Sequence, residues 1–205
     1  MARIVLPGEP LSDGLTSLRA WRDSDVSAIA AACQDPEIGR WTRVPSPYRE
    51  TDARAFLLER YDAIHRRRSA PFAIVAPPSA EVQPDGPDDW RPAPGTLLGS
   101  IALMRPAWEH ARAEVGYWLA RDARGRGHAT RAVRLICAWG FATLELERIT
   151  LFAATGNLAS QRVAERAGFR REALLRSYIR NRALRHDAVA YGLLATEAVS
   201  ANGER

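Results

Sequence analysis

The run RDARGRGHATRA, Arg121 to Ala132, sets two glycines and four arginines directly before an apolar-periodic segment. Three chemistries fit such a stretch: a solvated basic loop, a nucleic-acid contact, or a backbone cradle for a phosphate. The cradle has a definite physical basis. Amides at a helix N-terminus lack intrahelical acceptors and can face an anion. Glycine adopts positive φ and lets a phosphate approach the backbone closely. Gly125, Gly127 and the small Ala129 stand in the right places, but Thr130 occupies the last glycine position of the dinucleotide fingerprint, which is therefore incomplete.

Composition narrows the field from the other side. All 29 basic residues are arginine, so a Walker-type phosphate loop and Schiff-base chemistry, both of which need a lysine, are excluded. The net charge of +5 suits an anionic ligand, yet acidic residues are interspersed throughout and charge alone does not choose the partner. The arginines lack the aromatic interleaving of a single-strand binder, so no nucleic acid is expected. Cys33 and Cys137 stand apart in helix-like patterns and read as core residues without a disulfide. The four histidines are scattered, and no metal is expected. A G-x-S-x-G elbow is missing, which sets aside triad hydrolysis. With no membrane-length apolar run and no signal-like start, a cytoplasmic protein is the expectation.

The elements that must position the glycine run follow from periodicity. Leu15–Trp21 alternates as a strand, and a helix follows that stops at Pro36. EIGRWTRVPSPY reads as a loop, and a second helix covers Thr51 to Arg68, its HRRR end a solvated face that complements the helix dipole. PFAIVAP is a buried-type strand. The Pro- and Asp-rich stretch after it, about 77–95, reads as a mobile loop. Thr96–Arg105 and Ala111–Ala120 form an expected antiparallel pair. Then come a helix from Thr130 to Thr143, a strand from Arg148 to Ala154, a short helix in SQRVAERAGF closed by Gly168, and two closing strands around NRALR. The order β-α-α-β-β-β-α-β-α-β-β makes a mixed α/β (α+β) domain with a central crossover. One domain over residues 1–205, with its core at about 15–195, is expected.

Several ordered motifs raise the specificity of the glycine run. RGRGHA fits the R/Q-x-x-G-x-G/A pattern of the GNAT acyltransferases through Arg124, Gly127 and Ala129. AEVGYWL resembles the fourth strand of that superfamily; RITLFAATGNLASQRVAERAGF resembles the next strand, the N-x-x-S helix start and its A-G-F end; RHDAVAYGLL resembles its last strand. Within the superfamily the chain looks most like the ribosomal-protein-alanine N-acetyltransferases.

This resemblance implies an acetyl-CoA-dependent N-acetyltransferase fold. Backbone amides of Arg126, Gly127, His128, Ala129 and Thr130 would hold the pyrophosphate, with Gly125 shaping the turn and Arg124 and Arg131 near the charged groups. Pantetheine would add as a strand along Val115, Tyr117, Trp118 and Leu119. His128 reads as a solvent-facing loop residue that supplies only its N–H.

Glu114 is implied as the base, although a strand Glu could instead pair with Arg105 or Arg112; Glu109 and His110 are the alternatives. Asn157 is implied near the coenzyme, where it would also close a turn. Ser160 reads as the N-cap of the short helix and, by resemblance, lies near the thiol. The tyrosine that many members carry four residues later is Ala164 here, which leaves Ser160 or water to protonate the thiolate. Trp41 and Thr42 resemble a substrate-side loop, with a core plug the equal reading for Trp41. Tyr178 and Tyr191 read as packing residues. The acceptor would be a protein N-terminal amine or a small amine, and a homodimer is compatible with the resemblance. A non-catalytic acyl-CoA or nucleic-acid-binding module is the competing class.

Overall fold

The computed structural model describes residues 4–78, 90 and 92–200. In order these form β1 (Leu11–Ser12), β2 (Ser17–Arg19), α1 (Val26–Ala32), α2 (Pro36–Trp41), α3 (Glu50–His65), β3 (Ser69–Val75), β4 (Leu97–Ala107), β5 (Arg112–Leu119), α4 (His128–Thr143), β6 (Arg148–Ala154), α5 (Leu158–Arg166), β7 (Arg170–Asn181), β8 (Leu184–Leu194) and α6 (Ala195–Ser200). The strands make one sheet in the order β1-β2-β3-β4-β5-β6-β8-β7. Every neighbouring pair is antiparallel except β5 and β6, which the α4 crossover makes parallel.

Both faces of the sheet are covered, which is why β3 is buried along its whole length. Phe72 and Ile74 face a core built with Val133, Ile136 and Cys137 of α4 and Ala164 of α5. Ala73 and Val75 face the opposite core, built with Ile29 of α1, Ile38 of α2 and Leu57 of α3. Cys33 and Cys137 are buried and unpaired, and burial pushes the Cys33 thiol up to about 12, so both behave as small apolar residues. No helix among the described residues is long and apolar enough to cross a membrane.

The expected mixed fold is present, with three differences. The segment read as a loop after Pro36 begins with helix α2. Pro36 ends nothing there: it occupies the first helical position, where its missing N–H is harmless, and the Asp35 carboxylate caps the turn by accepting the Glu37 N–H at 3.1 Å. A short β1 strand pairs with β2, and α6 follows β8. Most of the expected mobile loop at 77–95 lies outside the described residues. Its stem is closed by bonds from Ala76 N–H to Thr96 O and from Gly95 N–H to Ala76 O, each 3.0 Å.

Candidate active site

Two parallel strands that pair for only part of their length leave backbone edges without partners. β5 and β6 are in register at Arg112↔Arg148, Ala113↔Ile149 and Glu114↔Thr150, and there the ladder stops. Beyond that point β6 pairs with β8 and β5 with β4, so a V-shaped gap opens between them. The Ala120 N–H bonds to Leu98 on the β4 side, while the Ala111 carbonyl accepts from Arg148 on the β6 side. Strand alternation therefore turns the backbone groups of Val115, Tyr117 and Leu119 toward the gap and those of Trp118 toward β4. The side chains alternate as well: Val115, Tyr117 and Leu119 pack toward α4 and Trp118 toward the α1–α3 core.

The glycine run lies just past this open edge. Gly125 and Gly127 have φ of +75° and +81°, left-handed values that cost a side-chain-bearing residue strain. Gly127 is the N-cap of α4, and the first helical amide bond runs from Arg131 N–H to the Gly127 carbonyl at 3.1 Å. The amides of His128, Ala129 and Thr130 precede that bond and have no acceptor within the helix. A Cβ at Gly125 would have no neighbour within 4 Å, so the mouth of the turn is open.

The charged side chains around the cradle have partners within the protein, and Arg131 Nε would lie 3.9 Å from a Cβ on Gly127. Arg124 Nη2 donates to the Leu119 carbonyl at 2.9 Å and pairs with Asp35 at 2.6 Å; Arg131 pairs with Asp13 at 3.0 Å. Arg126 donates to the Asp122 carbonyl at 2.9 Å and lies over the Trp90 ring. His128 does not face solvent. It is 6 % exposed, and its Nδ1 lies 2.8 Å from the Thr16 hydroxyl, because the first turn of α4 packs under the β1–β2 connection. Burial, and then the nearby Arg131, lower its pKa and favour the neutral ring.

Ser160 is not the N-cap of α5. Asn157 is: its Oδ1 accepts the Ser160 N–H at 3.0 Å, which places Ser160 third in the helix. The N-x-x-S spacing fits either assignment, and Asn157 wins because its side chain turns back on the first turn while the Ser160 hydroxyl points elsewhere. That hydroxyl lies 3.1 Å from the Tyr117 Oη, across the gap between α5 and β5. The phenol was not legible as a site group, because reading Tyr117 as part of a binding edge concerns only its backbone. Burial pushes the Tyr117 pKa up to about 12, so the hydroxyl stays protonated at neutral pH. The Ala164 position, where a tyrosine would stand by resemblance, is fully buried.

At the fork of the V, Glu114 Oε2 accepts from Arg105 Nη1 at 2.5 Å, the strand pairing weighed as its structural reading. Glu109 and His110 lie on the β4–β5 connection with mostly exposed side chains. Trp41 closes the other side. Its Nε1 donates to Glu37, its ring lies 6.2 Å from the His186 ring, and a methyl on Gly156 would come within 3.3 Å of its Cη2. Thr42 donates to the Ile38 carbonyl at 2.6 Å and ends α2. Tyr178 lies tilted against Phe152, ring centroids 4.7 Å apart, at the surface, while Tyr191 is wholly buried as a packing residue. Among the described residues, no group of three or more His, Cys, Asp or Glu side chains could hold a metal.

Known proteins share this architecture. A Bacillus subtilis (strain 168) protein named as a candidate ribosomal N-acetyltransferase, YdaF, is 39% identical over 103 residues, covering 50% of this chain and 56% of that protein. The aligned stretch is thus little more than half of that relative's length. A structure of a candidate ribosomal-protein-serine acetyltransferase from Vibrio cholerae aligns with a TM-score of 0.75 at 18% identity, over 93% of this chain and 99% of that one. The spermidine N-acetyltransferase of Vibrio cholerae, solved with CoA and spermine, aligns at 0.71 and 20% identity, over 91% and 99%. At these identities the two structures speak for the fold. The acetyltransferase (GNAT) domain model matches residues 16–170, most of the chain and the whole of the splayed-strand region, and the chain belongs to the GNAT acetyltransferase family.

Proposed function

We propose that this chain is one N-acetyltransferase domain that transfers the acetyl group of acetyl-CoA to a protein N-terminal amine of the ribosomal-protein type. The observation that carries the reading is the β5–β6 ladder, which ends at Glu114↔Thr150 and leaves an unpaired edge leading straight into the glycine turn. An extended pantetheine arm completes that edge through the amides and carbonyls of Val115 and Tyr117, as any added strand would. The pyrophosphate sits on the amides of His128 to Thr130, where the N-terminal dipole of α4 favours negative charge. Arg124 helps indirectly, by bracing the end of the edge against Asp35.

The acceptor amine enters from the Trp41 side and reaches the fork at Glu114. Its nitrogen attacks the thioester carbon, the carbon–sulfur bond breaks, and the amine proton passes to the Glu114 carboxylate. Ser160 donates a hydrogen bond to the departing sulfur. Tyr117 sets this up: its protonated Oη donates to Ser160 Oγ and leaves the serine hydrogen for the thiolate. The name of the YdaF relative supports a ribosomal acceptor.

The test is thiol release from acetyl-CoA, measured against N-terminal peptides, free amino acids and spermidine at equal concentration. Turnover of peptides above the rest supports the reading. Turnover of small amines alone refutes the peptide acceptor, and no thiol release with any amine refutes catalysis.

A further inference from the structure

A cavity of about 290 Å³ lies between the α1–α2 connection and the tip of the β7–β8 hairpin, lined by Gln34, Asp35, Gly39, Arg40, Ser46 and Arg182 among others. The hairpin tip is fixed to α2 by the buried Asn181, whose Nδ2 donates to the carbonyls of Gly39 at 3.1 Å and Arg40 at 2.8 Å. Arg40 and Arg182 are thereby held at one opening from two different elements.

The charges at this opening do not cancel. The Asp35 side chain is only 7 % exposed and already neutralised by Arg124 at 2.6 Å, with Arg121 at 3.9 Å. Arg182 donates to the Val44 carbonyl at 3.4 Å and, among the described residues, pairs with no carboxylate. The partner of Arg40 is the half-exposed Glu37, at 3.3 Å and one helical turn away, a surface pair that holds its arginine weakly.

One chain of neighbours links this opening to the proposed reaction centre. Trp41 directly follows Arg40, and its ring abuts Gly156, which precedes the Asn157 that caps the Ser160 turn. We infer that the Arg40–Arg182 cavity is a subsite for a carboxylate side chain of the acceptor, so that the substrate is an acidic N-terminal segment carrying Asp or Glu within a few residues of the reacting amine. The inference rests on the peptide reading above and deepens it. A polyamine meets a net excess of guanidinium charge here and is repelled, whereas a carboxylate matches the fork geometry of Arg182 and of the weakly held Arg40.

Three peptides of equal length test this. Each begins with Ala and carries Glu, Gln or Lys at the second to fourth positions, with acetyl-CoA as donor and spermidine as a fourth acceptor. The Glu peptide should exceed the Gln peptide in kcat/KM by about tenfold, mainly through KM, as expected of hydrogen bonds to charged groups. The advantage should shrink as NaCl screens the pairs. In Arg182→Glu the order of the Glu and Lys peptides should reverse, and in Arg40→Gln the ratio should narrow. Each order is read within one variant, so partial loss of folded protein cancels.

Equal use of all three peptides overturns the subsite while leaving the peptide acetyltransferase intact. So does a Lys preference, or an unchanged order in an Arg182→Glu protein whose circular dichroism is native. Turnover of spermidine with no peptide turned over overturns both.

Discussion

The hydroxyl pair across the V offers a test in which structure and catalysis give different arithmetic. Ser160→Ala removes the partner of the Tyr117 Oη at 3.1 Å and leaves the Asn157 cap in place, because the cap uses the Ser160 backbone N–H. One partly buried neutral hydrogen bond is worth about 1 kcal/mol, so the single variant should lose about that much stability. For a domain of this size that is about 2–4 °C in Tm. Tyr117→Phe removes the same bond from the other side. In the double variant the second change therefore has no bond left to break, and a coupling of about 1 kcal/mol should appear.

Asn157→Ala removes a different bond and should cost about 1 kcal/mol additively in either background. Catalysis should follow the same logic. If Tyr117 acts only by orienting Ser160, then kcat of the double variant equals that of Ser160→Ala, itself reduced about tenfold by the lost contact to the thiolate. Chemical denaturation and thiol-release kinetics on the four proteins of the cycle measure both quantities. Additive stability losses would refute the hydrogen bond, and additive losses in kcat would refute the positioning role.

Three further outcomes follow from the site. Gly127→Val places a branched side chain at φ +81°, beside the amides proposed to receive the pyrophosphate; CoA affinity by calorimetry should fall at least tenfold, and a folded variant of unchanged affinity would remove the cradle assignment. Glu114→Gln should lower kcat about a hundredfold with CoA affinity retained, and a loss below about threefold would shift the proton to Glu109, His110 or water. His128 has its pKa depressed below 6.5 by burial, so the folded state favours the neutral ring. Its contribution is therefore complete above about pH 6.5 and is lost as pH falls toward the folded value. Tm should drop more between pH 7.5 and 5.5 in the parent than in His128→Asn, measured by scanning fluorimetry, and equal slopes would count against a buried neutral ring.

The parts of this protein legible in its sequence are those set by local chemistry. β6 is delimited by its own apolar alternation and ends where it was expected, at Arg148 and Ala154. The glycines of the cradle stand where a left-handed turn needs them, since no other residue takes φ near +80° without strain. α2 is not legible because a proline can mark either the stop of one helix or the first position of the next, and here the Asp35 capping bond puts it at the start. The splay of β5 from β6 has no signature in either strand alone, since it depends on where two segments over thirty positions apart stop matching.

Arg124 shows what a motif cannot carry. Its place in the glycine run identifies the turn, but the direction of its guanidinium depends on residues remote in sequence. Asp35 is held 7 % exposed by its cap of α2, and a buried carboxylate without a cation would be costly. Arg124 meets that demand while also donating to the Leu119 carbonyl at the end of the open edge. In the proposed reading, phosphate recognition is thereby left to backbone amides, whose positions are fixed by helix geometry rather than by a long side chain. The same carboxylate joins the capping turn of α2, and with it Arg40 and Trp41, to the coenzyme edge. The two halves of the site are therefore braced against each other through one ion pair.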